Sequence, residues 1–199
     1  MSEPVEERVP AEEPEEEAED AEAPEAAAEA EHAPGELVIP EDYAVFEGSP
    51  NGGGRGVAVV VGRFNGEITS RLLESALNEL DRAGVVKDAI TVVPVPGAFE
   101  LPLAAMAFAK TRRYACVVAL GCVIRGETPH FEYVAGETAS GLQLAALETG
   151  VPVAFGVLTV ESAEQAEARL EKGAEAVRTA LEMADLFTQL RTSAAAAGR

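Results

Sequence analysis

Four times between Val57 and Leu190 the chain runs through a short apolar segment and then into a longer stretch with leucines and alanines at helical spacing. The apolar segments are VAVVVG (Val57 to Gly62), AITVVPV (Ala89 to Val95), CVVALGCVI (Cys116 to Ile124) and VPVAFGVLTV (Val151 to Val160). The stretches that follow them, Glu67 to Ala83, Phe99 to Lys110, Phe131 to Glu148 and Ala163 to Leu190, read as helices, the last broken near Lys172-Gly173. A strand that is apolar on both faces has to be covered on both, and strands joined through helices run parallel. With right-handed crossovers the pattern predicts an α/β fold, a three-layer sandwich with a four-stranded parallel sheet flanked by helices on both faces. Such sheets bind ligands beyond the carboxyl ends of their strands. GRFN, VPGAFE, GCVIRGETPH and FGVLTVES all fall at or just after those ends, so four strand ends feed one rim.

Charge divides the chain. Residues 1 to 50 carry 18 acidic side chains against Arg8 alone, a net of −17 out of −20, while the remainder has 17 acidic and 14 basic residues. The acidic pI therefore describes an extension rather than the fold. From Ser2 to about Gly35 it is Glu, Ala and Pro with almost no large apolar residue, too little to offset the entropy of ordering. Pro10, Pro14, Pro24 and Pro34 interrupt any long helix. The expected organisation is a disordered acidic extension over 1–40, an α/β domain over 41–192 and a flexible tail over 193–199.

Neither a signal peptide nor a mitochondrial presequence fits the acidic start, and no stretch approaches the ~20 apolar residues of a membrane span, so a cytoplasmic protein is expected. Without basic clusters interleaved with aromatics, nucleic acid is not an expected partner. Cys116 and Cys122 are spaced to face the same way on one strand, too far apart to bridge, and read as reduced core residues with no metal-ligand spacing. Tyr43, Val45 and Phe46 alternate with other residues as a short strand does. GGGRG (Gly52 to Gly56) precedes its strand, whereas a phosphate loop follows one, and it reads as a turn.

The chemistry concentrates in GCVIRGETPHFEYV, Gly121 to Val134. His130 is the one histidine outside the acidic extension, and imidazole is the side chain that titrates near neutrality unaided. It suits a group that both gives and takes protons; a surface or helix-capping histidine is the alternative. Backbone N–H groups around Gly126, Glu127 and Thr128, with the Thr128 hydroxyl, make a cradle for an anion. Arg125 is either a cation for that anion or a salt bridge that orients the loop. Phe64, directly after the first strand, offers a ring face for a flat heterocycle or packs in the core. Asn65 reads best as the cap of the following helix. Ala98, Phe99 and Glu100 open the second helix, where free N–H groups meet substrate oxygens and a carboxylate is favourable for structural reasons too.

GRFN, VPGAFELP, ALGCVIRGETPHFEYV, PVAFGVLTVESAEQA and KGAEAVRTALEM, in this order and at these intervals, resemble the lumazine synthase family over roughly Tyr43 to Leu190. The resemblance implies condensation of 5-amino-6-(ribitylamino)uracil with 3,4-dihydroxy-2-butanone 4-phosphate to 6,7-dimethyl-8-ribityllumazine, phosphate and water, with neither metal nor organic cofactor. It implies His130 as the proton shuttle beside a phosphate held at Glu127 and Thr128. Glu100 takes ribityl hydroxyls, and main-chain groups of Cys122, Val123 and Ile124 read the pyrimidine. Phe155 and Arg169 come from the adjacent subunit, and Lys172 matches a lysine near the phosphate. Pentamers, in many members twelve of them closed into a 60-subunit icosahedral shell, are the implied assembly, with riboflavin synthase as a further partner. The Tyr43 to Phe46 strand is then expected to join a neighbour's sheet.

This chain departs from the family between EQAEAR and KGAEA, where only Leu170 and Glu171 intervene in place of a longer segment. That shortening bears on Arg169, on Lys172 and on the break between the last two helices. Two rival readings are a shell-forming member that has lost catalysis and a flavin-binding module of the same fold.

Overall fold

The computed structural model describes residues 37–197. The acidic extension lies outside the described residues up to position 36. Four strands, β1 (Val57–Gly62), β2 (Ile90–Val95), β3 (Cys116–Ile124) and β4 (Val153–Val160), form one sheet in the order β2-β1-β3-β4, with every pair parallel. Five helices accompany them: α1 (Gly66–Arg82), α2 (Leu101–Lys110), α3 (His130–Thr149), α4 (Ala163–Glu167) and α5 (Lys172–Ala197). The chain direction across the sheet reverses between β1 and β3, so a crevice is expected where those two strands end.

Position in the sheet explains the strand sequences. β1 is buried throughout and β3 nearly so, as unbroken Val-rich runs require. The edge strands are mixed. β2 leaves Val92 and Pro94 exposed, and Pro94, which has no N–H to donate, is tolerated because one side of β2 has no partner within the protomer. Pro152 likewise delays the ladder of β4 to Val153, two residues after the expected start.

Two cores lie on the two faces. On one, Leu72 and Leu80 of α1 and Val177 and Leu181 of α5 pack on Val57, Val59, Cys116, Val118 and Leu120. On the other, Leu101 and Ala105 of α2 and Leu142 of α3 pack on Ala58, Val60, Val117 and Ala119. Each fully buried leucine contributes about 1.5–3 kcal/mol. Cys116 and Cys122 belong to the same face, both free and buried, and burial pushes their thiols up to about 12 and about 11. Gly173 marks the closest approach between helices, since a Cβ there would run into the carbonyl oxygen of Leu72.

The helix expected over Ala163 to Leu190 is two helices. Between them Arg169, Lys172 and Gly173 donate backbone N–H groups to the carbonyls of Ala166, Arg169 and Leu170, a tight i→i−3 path that turns the chain at 168–171, just before the expected break. α5 continues to Ala197, so residues 193–197, assigned from sequence to the tail, are helical. Among the described residues Tyr43 to Phe46 pair with no strand. The lead-in to β1 is fixed by Asp185 of α5, whose Oδ2 accepts from Ser49 N at 3.1 Å while Oδ1 lies 2.6 Å from Arg55. These contacts and the Gln189 amide hold the Asp185 carboxyl below its ordinary range, with Gln189 the largest cause. No helix among the described residues is long and apolar enough to cross a membrane.

Candidate active site

Main-chain bonds tie the ends of β1 and β2 together at the rim. Past β1, Arg63 N donates to Val95 O at 2.8 Å and Phe64 N to Pro96 O at 3.1 Å, so the loops after β1 and β2 continue side by side beyond the sheet. Gly62 lets them approach, because a Cβ there would press on the Gly97 backbone. Phe64, 71% exposed, is thereby held next to Gly97 and the single 3-10 turn Ala98–Glu100. Such exposure excludes core packing for this ring.

Within that turn Ala98 is buried and Phe99 is 57% exposed. Glu100 reaches back so that Oε2 accepts from Gly97 N at 2.9 Å. One carboxylate oxygen thus fixes the turn.

Asn65 departs from the capping role expected of it. It sits at the N-cap of α1 in a left-handed conformation, φ 56°, with no side-chain cap bond. Instead Nδ2 donates to Cys122 O at 3.0 Å, tying the end of β1 to the end of β3 across the crevice. Asparagine is the non-glycine residue that best tolerates this backbone, so Asn before Gly at a strand-to-helix turn was the available signal. The Cys122 side chain points into the core, and Val123 is buried on the opposite face beside α2 and α3. Ile124 is partly buried at the margin of the first core. None of these three side chains is exposed.

Arg125 to Pro129 form an exposed loop anchored by Arg125 N, which donates to Val160 O at 2.9 Å. Of the two readings of Arg125, the structure favours the orienting salt bridge. Its Nε lies 2.9 Å from Glu161 Oε2, its Nη1 lies 3.3 Å from Glu132 Oε1, and its guanidinium stacks 4.2 Å above the centroid of Phe131. Glu161 first and Glu132 second favour its charged form. Glu127 and Thr128 are exposed in this loop, and His130 is the first residue of α3, also exposed. The first-turn N–H groups of a 20-residue helix thus open beside the loop. Sequence reasoning did not foresee the bracing by Glu132, Glu161 and the Phe131 ring.

Phe155 stands apart from this rim, and Arg169 and Lys172 are held on the segment that leaves the end of β4. Phe155 pairs with Ala119, four residues before Val123 on β3, and β4 is two strands from β1. That places it about 13 Å back along the strands and about 10 Å across the sheet from the level of Phe64. At 46% exposure its ring is accessible on the sheet edge. Arg169 folds onto α4, with Nη1 donating to Gln165 O at 3.0 Å, and Lys172 Nζ lies 2.7 Å from Glu175 Oε2. Ser162 caps α4 by accepting from Gln165 N, which sets the direction in which the turn leaves β4. Among the described residues no group of three or more His, Cys, Asp or Glu is disposed to hold a metal ion.

A parallel α/β sandwich with a crevice bridged by Asn65, an exposed ring after β1 and a histidine at the start of α3 defines an α/β protein of the rim-site class. The family described as 6,7-dimethyl-8-ribityllumazine synthase matches residues 54–188. Similar proteins include the 6,7-dimethyl-8-ribityllumazine synthases of Yersinia pestis (strain Pestoides F) and Yersinia pseudotuberculosis serotype O:1b (strain IP 31758). Each is 55% identical over 141 residues that cover 68% of this chain and 90% of the relative. The chain belongs to the 6,7-dimethyl-8-ribityllumazine synthase family.

Proposed function

We propose that this chain is the transferase that condenses 5-amino-6-(ribitylamino)uracil with 3,4-dihydroxy-2-butanone 4-phosphate in riboflavin biosynthesis, at sites completed by a second copy of itself. The observation that carries the composite site is the separation of Phe155 from Phe64, about 13 Å along and about 10 Å across the sheet. One protomer holds two complementary half-sites that it cannot bring together.

The pyrimidine stacks on Phe64 and is read by main-chain groups at Cys122, Val123 and Ile124. Ribityl hydroxyls bond the free oxygen of Glu100 and the N–H groups of Ala98 and Phe99. Phe155 of a second copy closes the ring from the other side. The nucleophile is the substrate's amine, so the chain needs no nucleophile of its own. The carbonyl oxygen departs as water when the imine forms, loss of a carbon-bound proton expels phosphate, and ring closure releases water again. His130 relays these protons. The Gly126 to Thr128 N–H groups stabilise the departing phosphate more than the bound ester, aided by Arg169 and Lys172 of the second copy. In the isolated protomer those two cations rest on Gln165 and Glu175, so binding exchanges exposed contacts for phosphate oxygens.

Assembly is supported by what the protomer leaves uncovered. Leu103, Tyr133 and Leu147 are exposed by 78, 70 and 74%. The free edge of β2 suits the Tyr43 to Phe46 segment of a neighbour. Pentamers, alone or twelve in a shell, are the proposed form, in the cytoplasm; a partnership with riboflavin synthase rests on the family resemblance alone. The test is lumazine formation, followed by absorbance, with purified assembled protein. Turnover above the uncatalysed rate is expected, and background turnover by well-formed particles would overturn the activity.

A further inference from the structure

At the end of the sheet opposite the rim, the segments leading into β1, β3 and β4 enclose with α5 a cleft of about 410 Å³. Four of its lining residues are arginines, Arg55, Arg112, Arg113 and Arg191. These are four of the eleven arginines after position 50, in a body whose net charge is −3. One carboxylate, Asp185, pairs with Arg55 at 2.6 Å and is further occupied by Ser49 and Gln189. Among the described residues no carboxylate pairs with Arg112, Arg113 or Arg191. Like charges gathered in this way repel one another until an anion joins them.

The backbone gives a second, independent observation. Three helices hand over to strands through a residue of positive φ. After α1 it is Gly84 at 84° and after α3 Gly150 at 63°, but after α2 it is Arg112 at 58°. Glycine adopts this conformation freely, whereas a side chain makes it costly. The dipole of α2 favours a cation at this end, but Lys110 in the last turn already supplies one without strain. An arginine thus stands where the turn prefers glycine, and that residue lines the cleft. Tyr114 and Phe187, both half-buried, line the same cleft, the Tyr114 ring packed edge-on against Phe108.

We propose that this cleft binds a phosphate monoester carried on a flat ring, a molecule the size of a mononucleotide. Guanidinium forks match phosphate oxygens in bidentate fashion, rings contact the carrier, and the volume falls within the range of small-molecule sites. The site is independent of the rim and does not rest on the reaction assigned to it.

Hydrogen–deuterium exchange on the full assembled protein with AMP as probe and adenosine as control tests the assignment. AMP, and not adenosine, is expected to slow exchange in peptides spanning 109–115 and 186–191. The paired substitution Arg112→Gly and Arg113→Ser is expected to weaken AMP binding at this end about tenfold or more. Its melting temperature should not fall, because glycine relieves the left-handed backbone. Protection confined to 125–130, equal protection by adenosine, or undiminished AMP binding by the paired variant would each overturn the site.

Discussion

Phe64 and Phe155 are both exposed rings on one parallel sheet, by 71 and 46%, but the fold places them in unlike surroundings. Phe64 follows a central strand and stands over a crevice whose walls are tied together by Asn65 to Cys122 and by Arg63 and Phe64 to the loop after β2. Phe155 is the third residue of an edge strand, level with Ala119 and five residues before the strand's carboxyl end. An exposed ring at a rim is half of a binding site within its own protomer. An exposed ring on a sheet edge has a use only when another surface arrives. His130 opens α3 beside the rim loop, while Arg169 donates to Gln165 O and Lys172 pairs with Glu175 within their own segment.

Breaking the rim half should have the largest effect. His130→Ala is expected to lower turnover by about 10²-fold or more while particles of normal mass still form; steady-state rates and native mass report the two parts. Breaking the other half should act through binding. Arg169→Ala is expected to raise KM for the phosphate-bearing substrate about tenfold, with a smaller change in kcat, since it removes a charge-assisted contact and no proton carrier. Leu72→Ala, in the core shared by both halves, should cost about 2–5 kcal/mol in denaturant unfolding and leave the rate per folded molecule intact.

A smaller effect follows from Asp185, distant from both halves. Its carboxyl is held below the ordinary value, so the unfolded chain takes up the proton first as pH falls. The stability it contributes is present above about pH 4 and is lost as pH drops through its folded value. Asp185→Asn should flatten the acid limb of a melting-temperature profile and leave the neutral limb's slope unchanged. Removing residues 1–35 is expected to change neither particle mass nor turnover.

The β/α alternation was legible because central parallel strands are buried on both faces and their sequences show it, as in VAVVVG and CVVALGCVI. Rim positions followed from strand ends alone, which is why Phe64, Glu100 and His130 fall on accessible rim loops or helix starts. What escaped depends on side-chain direction or on distant partners. Asn65 was read as a cap, but its backbone turned left-handed and freed the amide to reach β3. The role of Arg125 depends on Glu132, Phe131 and Glu161 around it, the last from a different strand end and so not adjacent in sequence. The turn at 168–171 was anticipated slightly late, because glycine at 173 marks close packing against α1 rather than the helix end.

Subunit mixing tests the composite site most directly. His130→Ala and Arg169→Ala chains, each impaired alone, are unfolded together in equal amounts and reassembled. If every site takes its rim from one copy and Arg169 from the next, about a quarter of the interfaces regain both residues. With the phosphate-bearing substrate well below its wild-type KM, lumazine formation should then rise to about that fraction of the wild-type rate. Mixed particles no faster than the average of the two parents would contradict a site shared between copies.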